Sequence, residues 1–372
     1  MISGVNSQRL RESFISMAKI SSPSLREGAF AQYVRKELLA LGFVVEIDNA
    51  GTVLGGDSGN VIATLAGAGD REALMLCCHL DTVQPCQNIQ PLVDGDRIYT
   101  DGSTILSGDD KAGIAAILEA VRQIQAAGIA HGTLQVVLTV AEEIGMFGSK
   151  NLDYSKILAK KAIILDAEGP PGTIVVQGPA KDVIKAVVKG KTAHAGLAPE
   201  QGINAIQVAA RAIDKMKLLR IDDETTANIG VIKGGEATNI VAGQVEVVAE
   251  ARSLSNAKLD EQSRHMQACF VEAAQEFSAS VTVDIQRSYA AFELNGDDPL
   301  VRQCESAMKS LGLQPVLTST GGGSDCNVFN AQGISAVDLA IGMKNVHTGA
   351  ESIGISDMAT VTRLLVEIIK KG

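Results

Sequence analysis

The stretch LMLCCHLDTV, residues 74–83, is an apolar run that ends in a histidine and an aspartate. An uninterrupted apolar run of this length is typical of a strand buried on both faces of a sheet. Two more runs have the same form, LQVVLTV at 134–140 and AIIL at 162–165, and the apolar-periodic helix predicted at Ala112–Ala127 lies between the first two. Buried strands that alternate with helices predict an α/β fold with a parallel-rich sheet.

Local signals extend this pattern towards the N-terminus. Val44–Ile47 and Val61–Leu65 read as strands, and Asp94-Gly95 is typical of a hairpin turn. Ser24, followed three residues later by Glu27, predicts a capping box in front of a helix.

The middle of the chain has a different order of elements. Strand-like and helix-like segments from Val183 to Ile285 follow the order βαββαβ, which is typical of a small ferredoxin-like domain. After about residue 291 the α/β pattern resumes, with a helix at Pro299–Leu311 and a closing helix at Ser356–Lys370. We therefore predict a catalytic domain formed by residues 1–179 and 291–372, into which a smaller domain, residues 180–290, is inserted.

Composition limits the classes of function. The 372 residues are 46% hydrophobic and 20% charged, which is ordinary for a folded protein and excludes a largely disordered chain. A net charge of −10, 3% aromatic residues and no tryptophan leave a nucleic-acid partner without its usual basic and stacking residues.

The cellular setting follows from two absences in the sequence. Charged residues interrupt the first twenty positions, and no apolar run reaches 18 residues, so neither a signal peptide nor a membrane span is expected. Six irregularly spaced cysteines in a long chain of this kind are expected to be reduced thiols. We therefore expect a cytoplasmic protein without a membrane partner.

Acids and histidines follow the predicted strands at five places. Open α/β sheets bind ligands outside the carboxyl ends of their strands, so these groups can converge. Each has an ordinary explanation when taken alone, such as a solvated Glu142-Glu143 pair, and only their conjunction indicates a site. The five segments are His79-Leu80-Asp81, Asp109-Asp110-Lys111, Glu142-Glu143, Asp166 and Asn345-Val346-His347.

Carboxylates gathered in this way need compensation, which metal ions supply. Two histidines with several carboxylates suit zinc first, and also cobalt or manganese. Two divalent ions would be balanced by Asp109, Glu143, Asp166 and one bridging hydroxide. This neutrality favours a two-metal hydrolase.

The same segments resemble the M20 metallopeptidases, most closely their peptidase T-like (tripeptidase) branch. The resemblance extends in order from about residue 74 to 351 and includes the inserted domain. Its motifs are HLDTV (79–83), DGSTILSGDDKAG (101–113), AEEIG (141–145), TAHAG (192–196), GGEATNIVAG (234–243), EARS (250–253), GGGSDCNVFNAQGI (321–334) and VHTGAE (346–351).

The resemblance implies a zinc-peptidase-like mixed sheet flanked by helices and a role for each matching residue. Asp109 would bridge two metal ions, with His79 and Asp166 on one ion and Glu143 and His347 on the other. The Asp109–Asp110 peptide is cis in this family. The resemblance further implies that Asp81 orients the ring of His79 through its other nitrogen, and that Glu142 is the general base.

The inserted domain would then be a lid that binds substrate and pairs two chains. His194 matches the residue that stabilises the tetrahedral oxyanion, and in this family it enters the partner's site. Strand 226–232 is the candidate pairing edge. The matching substrate-binding positions are Asn239, Arg252, Gly322, Gly323 and Ser324, with Arg252 able to grip a terminal carboxylate.

These implications predict a homodimeric aminopeptidase that hydrolyses short peptides with a metal-bridging hydroxide and a glutamate base. The alternative is an M20-type deacylase, dipeptidase or carboxypeptidase that acts on N-acyl amino acids or other small amides. A non-catalytic metal-dependent binding protein is disfavoured because Glu142 and all five ligands are present. Cys78 as a metal ligand and Cys326 as a nucleophile are the weaker alternatives for the cysteines.

Overall fold

The computed structural model describes residues 4–69 and 71–371, which fold into two compact units. The first unit comprises the described chain up to Val176, Glu293–Ser319 and the chain from Ser324 onwards. The second unit comprises Gln177–Phe292 together with the short segment Thr320–Gly323. The predicted insertion of residues 180–290 lies within the second unit. No pattern in the sequence indicated that Thr320–Gly323 also belongs to this unit.

Seventeen strands are found in the described residues. In chain order they are β1 (Val44–Ile47), β2 (Val61–Leu65), β3 (Leu74–His79), β4 (Leu92–Asp94), β5 (Arg97–Tyr99), β6 (Leu134–Thr139), β7 (Lys161–Ala167), β8 (Thr173–Gly178), β9 (Ala180–Lys189), β10 (Leu219–Arg220), β11 (Thr225–Gly234), β12 (Gln244–Ser253), β13 (Ser280–Tyr289), β14 (Phe292–Glu293), β15 (Val316–Ser319), β16 (Ser335–Ala340) and β17 (Ser352–Gly354).

The described residues also form ten α-helices. They are α1 (Ser7–Ala18), α2 (Gly28–Ala40), α3 (Ala50–Leu54), α4 (Gly108–Ala127), α5 (Phe147–Lys150), α6 (Ala205–Lys215), α7 (Asn256–Glu276), α8 (Pro299–Ser310), α9 (Asp325–Ala331) and α10 (Ile355–Lys371).

The main sheet of the first unit is mixed. Its strand order is β1-β2-β6-β3-β7-β16-β8-β14, with β15 paired to β8. The central neighbours β6, β3, β7 and β16 are parallel, while β2 and β8 run antiparallel to this group. The carboxyl ends of the four central strands therefore lie along one edge of the sheet, and the predicted α/β fold is confirmed.

The core of the first unit explains why its central strands are continuous apolar runs. Every residue of β3 and β6 is buried. Helix α4 contacts β3 and β7, and it also packs against α1 and α10. Because the central strands are enclosed on both faces, apolar side chains occupy most of their positions.

The capping box predicted for Ser24 and Glu27 is wrong. Helix α2 begins at Gly28, and Glu27 at its N-cap makes no side-chain capping bond. The Ser24 hydroxyl donates instead to Asp81 Oδ2 at 2.7 Å, and Glu27 Oε1 accepts the Ala141 N–H at 3.0 Å. Both side chains therefore form hydrogen bonds with the loops that follow β3 and β6 and do not cap the helix.

The second unit contains a five-stranded antiparallel sheet in the order β10-β11-β12-β9-β13. Apart from the two-residue β10, its elements follow the predicted order βαββαβ. Alternate residues of β9 and β12 are buried, and helices α6 and α7 contact these strands. One face of this sheet is therefore covered by helices.

A membrane-spanning helix must be both long and apolar. None of the described helices combines the length and the apolar composition needed to cross a membrane.

Candidate metal centre

Two groups of potential ligands form at the carboxyl edge of the main sheet. His79, Asp109 and Asp166 offer one ligand atom each, and these atoms lie within 4.8 Å of one another. The same limit holds for Asp109, Glu143 and His347. The fold therefore brings together all five residues that the sequence predicts as ligands. His79, Glu143 and Asp166 lie at or just after three strand ends, Asp109 lies in the first turn of α4, and His347 lies in a loop.

Asp109 belongs to both groups, and its two oxygens are divided between them. Oδ1 lies 2.8 Å from His79 Nε2, while Oδ2 lies 3.1 Å from His347 Nε2. Glu143 Oε2 is 3.0 Å from the same His347 nitrogen. A carboxylate with one oxygen in each group has the geometry of a bridge between two ions. The peptide between Asp109 and Asp110 is cis.

The ring of His79 is oriented by Asp81. Nδ1 lies 2.8 Å from the Asp81 backbone oxygen and 3.5 Å from its Oδ1. Since a carbonyl oxygen accepts, Nδ1 carries the hydrogen and Nε2 is free to act as a ligand. The predicted contact through the other ring nitrogen is thus present, but its shorter bond is to the main chain.

The Asp81 carboxylate holds a different part of the site. Its Oδ1 accepts the Glu142 N–H at 2.9 Å, and its Oδ2 accepts the Glu143 N–H at 3.2 Å. Ala141, the preceding residue, adopts a left-handed φ of 53°, and Glu27 binds its N–H. Strained backbone of this kind persists only where its surroundings determine it. The position of the Glu142-Glu143 pair is therefore set by two buried carboxylates.

A similar arrangement recurs at three other ligand residues, His79, Asp109 and Asp166. The backbone N–H of His79 donates to Asp110 Oδ2 at 3.3 Å, and that of Asp166 donates to Asp338 Oδ1 at 2.9 Å. Glu351 serves the Asp109 loop: Oε1 accepts the Asp109 N–H at 3.1 Å. Each of these three residues, like Glu143, therefore has its main chain bound by a buried acid. We call these acids the outer carboxylates, namely Asp81, Asp110, Asp338 and Glu351.

Three of the outer carboxylates, Asp110, Asp338 and Glu351, had no side-chain role assigned at the sequence level. Asp338 could have been noticed, because it is a charged residue inside the otherwise apolar strand SAVDLA, and it is only 5% exposed. Glu351 carries no comparable local signal. Its bond to Asp109 joins residues 242 positions apart, which only the folded chain shows.

Burial and like charges raise the pKa of two acids of the centre, whereas the pKa of Asp109 is held below its ordinary value, against the effect of burial, by the charge of His79 and by hydrogen bonds from both histidines. Burial, reinforced by the charge of Asp166, raises the pKa of Glu142 well above its ordinary value. Burial and the charge of Asp109 do the same to the pKa of Asp166. Hydrogen bonds to Asp109 and Glu143 raise the pKa of His347 to about 10. The centre therefore favours bound positive charge, here protons.

These residues fit divalent metal ions. The donor set is two imidazoles and three carboxylates, which suits zinc and similar ions. Glu143 Oε1 is buried and has no hydrogen-bond partner among the described residues. A buried carboxylate oxygen without a partner is costly, and a cation would satisfy it.

The predicted lid residues lie together in the second unit. His194 is exposed, and its Nδ1 accepts the N–H groups of Gly196 and Leu197, both at 3.2 Å. Neutral His194 therefore carries its hydrogen on Nε2, which can donate to a negatively charged oxygen. Asn239 is exposed nearby, and its backbone oxygen accepts the Ala195 N–H at 2.9 Å.

The remaining predicted substrate residues lie in both units. Arg252 contacts the carbonyl of Gly321, next to Gly322 and Gly323 in the second unit. Ser324 belongs to the first unit, where it caps α9 and donates to Asp338 Oδ2 at 3.0 Å. Ser324 is therefore linked to Asp166 through one of the outer carboxylates.

The cysteines do not join the metal centre. All six are free and buried. Cys78 is absent from both ligand groups found in the described residues. Cys326 donates to the Ala336 carbonyl at 3.0 Å, and burial raises the pKa of its thiol well above the ordinary value. These observations support neither Cys78 as a metal ligand nor Cys326 as a nucleophile.

Several known proteins are similar to this chain along almost its whole length. YqjE of Bacillus subtilis (strain 168) is 40% identical over 99% of this chain and 99% of its own length. The crystal structure of aminopeptidase PepT from Bacillus cereus ATCC 10987 has a TM-score of 0.93 and 40% identity, covering 99% of both chains. That of a tripeptidase from Staphylococcus aureus subsp. aureus mu50 has a TM-score of 0.96 and 37% identity, again covering 99% of both chains.

The family model for peptidase family M20/M25/M40 matches residues 75–371. This span contains every predicted ligand, Glu142 and the whole second unit. The chain therefore belongs to peptidase family M20/M25/M40, and the prediction of a metallo-exopeptidase is confirmed.

Proposed function

We propose that this chain is an aminopeptidase that hydrolyses short peptides, tripeptides in particular, with two divalent metal ions, zinc being the first choice. The observation that carries the proposal is the pair of ligand groups that share Asp109 and adjoin Glu142 in the chain. The names of the two similar crystal structures, an aminopeptidase PepT and a tripeptidase, support this substrate class.

The metal ligands proposed are His79, Asp109 and Asp166 for one ion, and Asp109, Glu143 and His347 for the other. Ions bound there would act as Lewis acids on the scissile carbonyl and lower the pKa of a water molecule towards neutrality. The outer carboxylates hold the ligand residues by their main chain, so the ligand atoms keep their places before an ion arrives.

Glu142 is the proposed general base. Its raised pKa suits a group that accepts a proton from water near neutral pH and then delivers it to the leaving amine. Asp81 fixes its main chain through the 2.9 Å bond, which limits the positions that its carboxyl group can reach. His194 supplies the proposed donor to the oxyanion through Nε2.

The competing function within the family is hydrolysis of N-acyl amino acids or other small amides. One observation is compatible with both functions: Arg252 offers a carboxylate-binding side chain, and both kinds of substrate carry a terminal carboxylate. A tripeptide with a free N-terminus, the same tripeptide acetylated at its N-terminus, and an acetyl-amino acid distinguish the two functions on the zinc-loaded protein. Cleavage of the free tripeptide alone supports the aminopeptidase, whereas preference for the acetylated substrates would refute it.

We also propose that the chain forms a homodimer through the second unit. Within the described residues β11 pairs with β12 along its length but with β10 only at Thr226 and Ala227, so most of one edge has no strand partner. Val231 and Ile232 on that strand are 41% and 50% exposed. Unpaired edges of this kind are sites for pairing with another chain.

Mixing two inactive variants tests the dimer and the place of His194 together. If His194 completes the partner's site, dissociated and reassociated His194→Ala and Glu142→Ala chains should recover about a quarter of wild-type activity, since random pairing makes half of the dimers mixed. Sedimentation supplies the control by showing that the mixture dissociates completely to monomers and then reassociates to dimers. Exchange without recovery would place His194 in the site of its own chain.

A further inference from the structure

Three charged side chains meet on the helix-free face of the second unit's sheet. Arg252 lies opposite Lys181 in the register of β12 and β9, and Glu250 precedes Arg252 by two residues on the same face. Asp182, which has the opposite orientation, accepts a hydrogen bond from Ser263 of α7. We call the group formed by Lys181, Glu250, Arg252 and the Gly321 carbonyl the Arg252 cluster.

The hydrogen bonds of Arg252 leave one part of its guanidinium available. Nε and Nη2 donate to the two oxygens of Glu250 at 2.9 and 3.3 Å, and Nη1 donates to the Gly321 carbonyl at 3.2 Å. A guanidinium has five N–H donors. Among the described residues, one N–H on Nη1 and one on Nη2 are therefore unused. Nη1 and Nη2 together present the end of the guanidinium that lies away from Glu250, and this end-on fork is the face at which a carboxylate can be bound in a bidentate manner.

The charges of the cluster suit an anionic ligand. Lys181 Nζ lies 2.9 Å from Glu250 Oε2, so the acid is shared between two cations. The cluster therefore keeps one net positive charge, and it can balance one carboxylate. Because two bases hold Glu250, its carboxylate remains beside Nε and Nη2 and does not cover the end-on fork.

The glycine run 321–323 explains how a carbonyl reaches Arg252. A Cβ placed on Gly323 would lie 2.4 Å from the ring of Tyr289, so only glycine allows this approach. Gly321, at the start of the run, supplies the carbonyl that binds Nη1. The third bond that orients the guanidinium thus depends on a close backbone contact within the second unit.

We propose that Glu250 is a specificity-determining positioning residue, which holds Arg252 so that its end-on fork receives the terminal carboxylate of the substrate. This inference rests on the proposed function, because it assumes a substrate with a free carboxylate. Glu250 itself does not touch the substrate. It acts by fixing the plane of the guanidinium, whose rotation would otherwise cost entropy when the carboxylate binds.

The test compares each substrate with its C-terminal amide. For the Glu250→Gln variant we expect kcat/KM to fall roughly tenfold for the free tripeptide, mainly through KM, and to change little for the amide; tenfold corresponds to the weakest charge-assisted hydrogen bonds. Glu246→Gln is the matched control, since Glu246 lies on the same face of β12 and its carboxylate accepts only a 3.4 Å bond from Gln244 among the described side chains. This control should retain the wild-type preference.

A double-variant experiment shows whether Glu250 acts through Arg252. In an Arg252→Lys background the fork is already lost, so adding Glu250→Gln should have no further effect on the preference for a free carboxylate. Additive losses would overturn the proposal. A lower KM for the free tripeptide in Glu250→Gln would also overturn it, because Glu250 would then be a competitor of the substrate.

The outcomes separate this inference from the proposed function. If the wild-type protein cleaves acetyl-amino acids instead of tripeptides, the aminopeptidase proposal fails, but the acetyl-amino acid and its amide still decide the role of Glu250. If the wild-type protein cleaves tripeptides and Glu250→Gln keeps their wild-type discrimination, only the inference about Glu250 fails. Wild-type protein that cleaves free and amidated substrates equally refutes the carboxylate fork itself.

Discussion

Replacement of Glu351 by glutamine tests whether an outer carboxylate maintains the metal centre. Its Oε2 accepts the N–H groups of Leu106 and Ser107 at 2.6 and 3.1 Å, and its Oε1 accepts that of Asp109. Glutamine has one acceptor oxygen, so at least one of these N–H groups would face an amide NH₂ instead. The side chain is fully enclosed, being 1% exposed, and water cannot replace the lost acceptor.

The expected cost has two measurable parts. A lost charge-assisted bond and a buried N–H without an acceptor together should lower the free energy of unfolding of the metal-free protein by about 2–4 kcal/mol. Since the loop from Leu106 to Asp109 carries the proposed bridging ligand, zinc affinity should fall by about 10–100-fold, which is usual for partners of metal ligands. Urea unfolding and competition with a chelator at mildly alkaline pH measure the two quantities.

Glu119→Gln is the matched control for Glu351→Gln. Glu119 is a buried acid on α4 that accepts bonds from Arg9, Gln123 and the Asn6 N–H, and it does not contact the metal centre in the described structure. Its replacement should lower stability and leave zinc affinity unchanged. Equal zinc affinities in the two variants would refute the role assigned to Glu351.

Further predictions concern the base, the lid and acid stability. Glu142→Gln should lower turnover by about 10²–10⁴-fold with unchanged zinc affinity, since an amide cannot carry the proton, whereas Glu143→Gln should weaken zinc binding measured by chelator competition. His194→Ala should bind zinc normally, yet turnover should fall by about 10²–10³-fold with the loss of an oxyanion donor. Although burial opposes them, hydrogen bonds from Arg9 and its neighbours hold the pKa of Glu119 below its ordinary 4.5. The contribution of Glu119 to stability is therefore present above about pH 4.5 and is lost as the pH falls through its folded-state pKa. The free energy of unfolding, measured with urea, should consequently fall less on acidification in Glu119→Gln than in the wild type.

Different results would contradict these predictions. Near-normal turnover in Glu142→Gln would exclude it as the base, and weakened zinc binding in His194→Ala would show that this residue supports the ligands instead of the oxyanion. An unchanged acid dependence in Glu119→Gln would show that the Arg9 pair makes no net contribution to folding.

The central strands could be predicted because their burial is local in the sequence. The run at Leu74–His79 coincides with β3, and the run at 134–140 differs from β6 by one residue. Short edge elements were missed, among them β15 at Val316–Ser319, because a strand with mostly exposed residues lacks a continuous apolar run. Their existence depends on a neighbouring strand that the local sequence does not show.

His79, Glu143 and Asp166 could be predicted because each lies at or just after the end of a central strand, and parallel strands place their ends together. Asp109 lies instead at the start of α4, and His347 lies in a loop.

The acids that hold the ligand backbones were harder to find. Ser24 and Glu27 matched a helix signal, but their side chains bind Asp81 and the Ala141 N–H. A local pattern cannot reveal that a tertiary partner competes for the same side chain, and here the partner belongs to the functional site.

The distance along the chain between Asp109 and Glu351 has a consequence for synthesis on the ribosome. At ~5–20 residues per second, the 242 positions between them take roughly 10–50 s to translate. During that time the nascent chain carries Asp109 without the acid that binds its backbone, and for most of it without His347. Every strand and helix from Gln177 to Phe292 is made in this interval. The metal centre can therefore be completed only after Glu351 has been synthesised, when translation of the whole chain is nearly finished and the second unit has already left the peptidyl transferase centre.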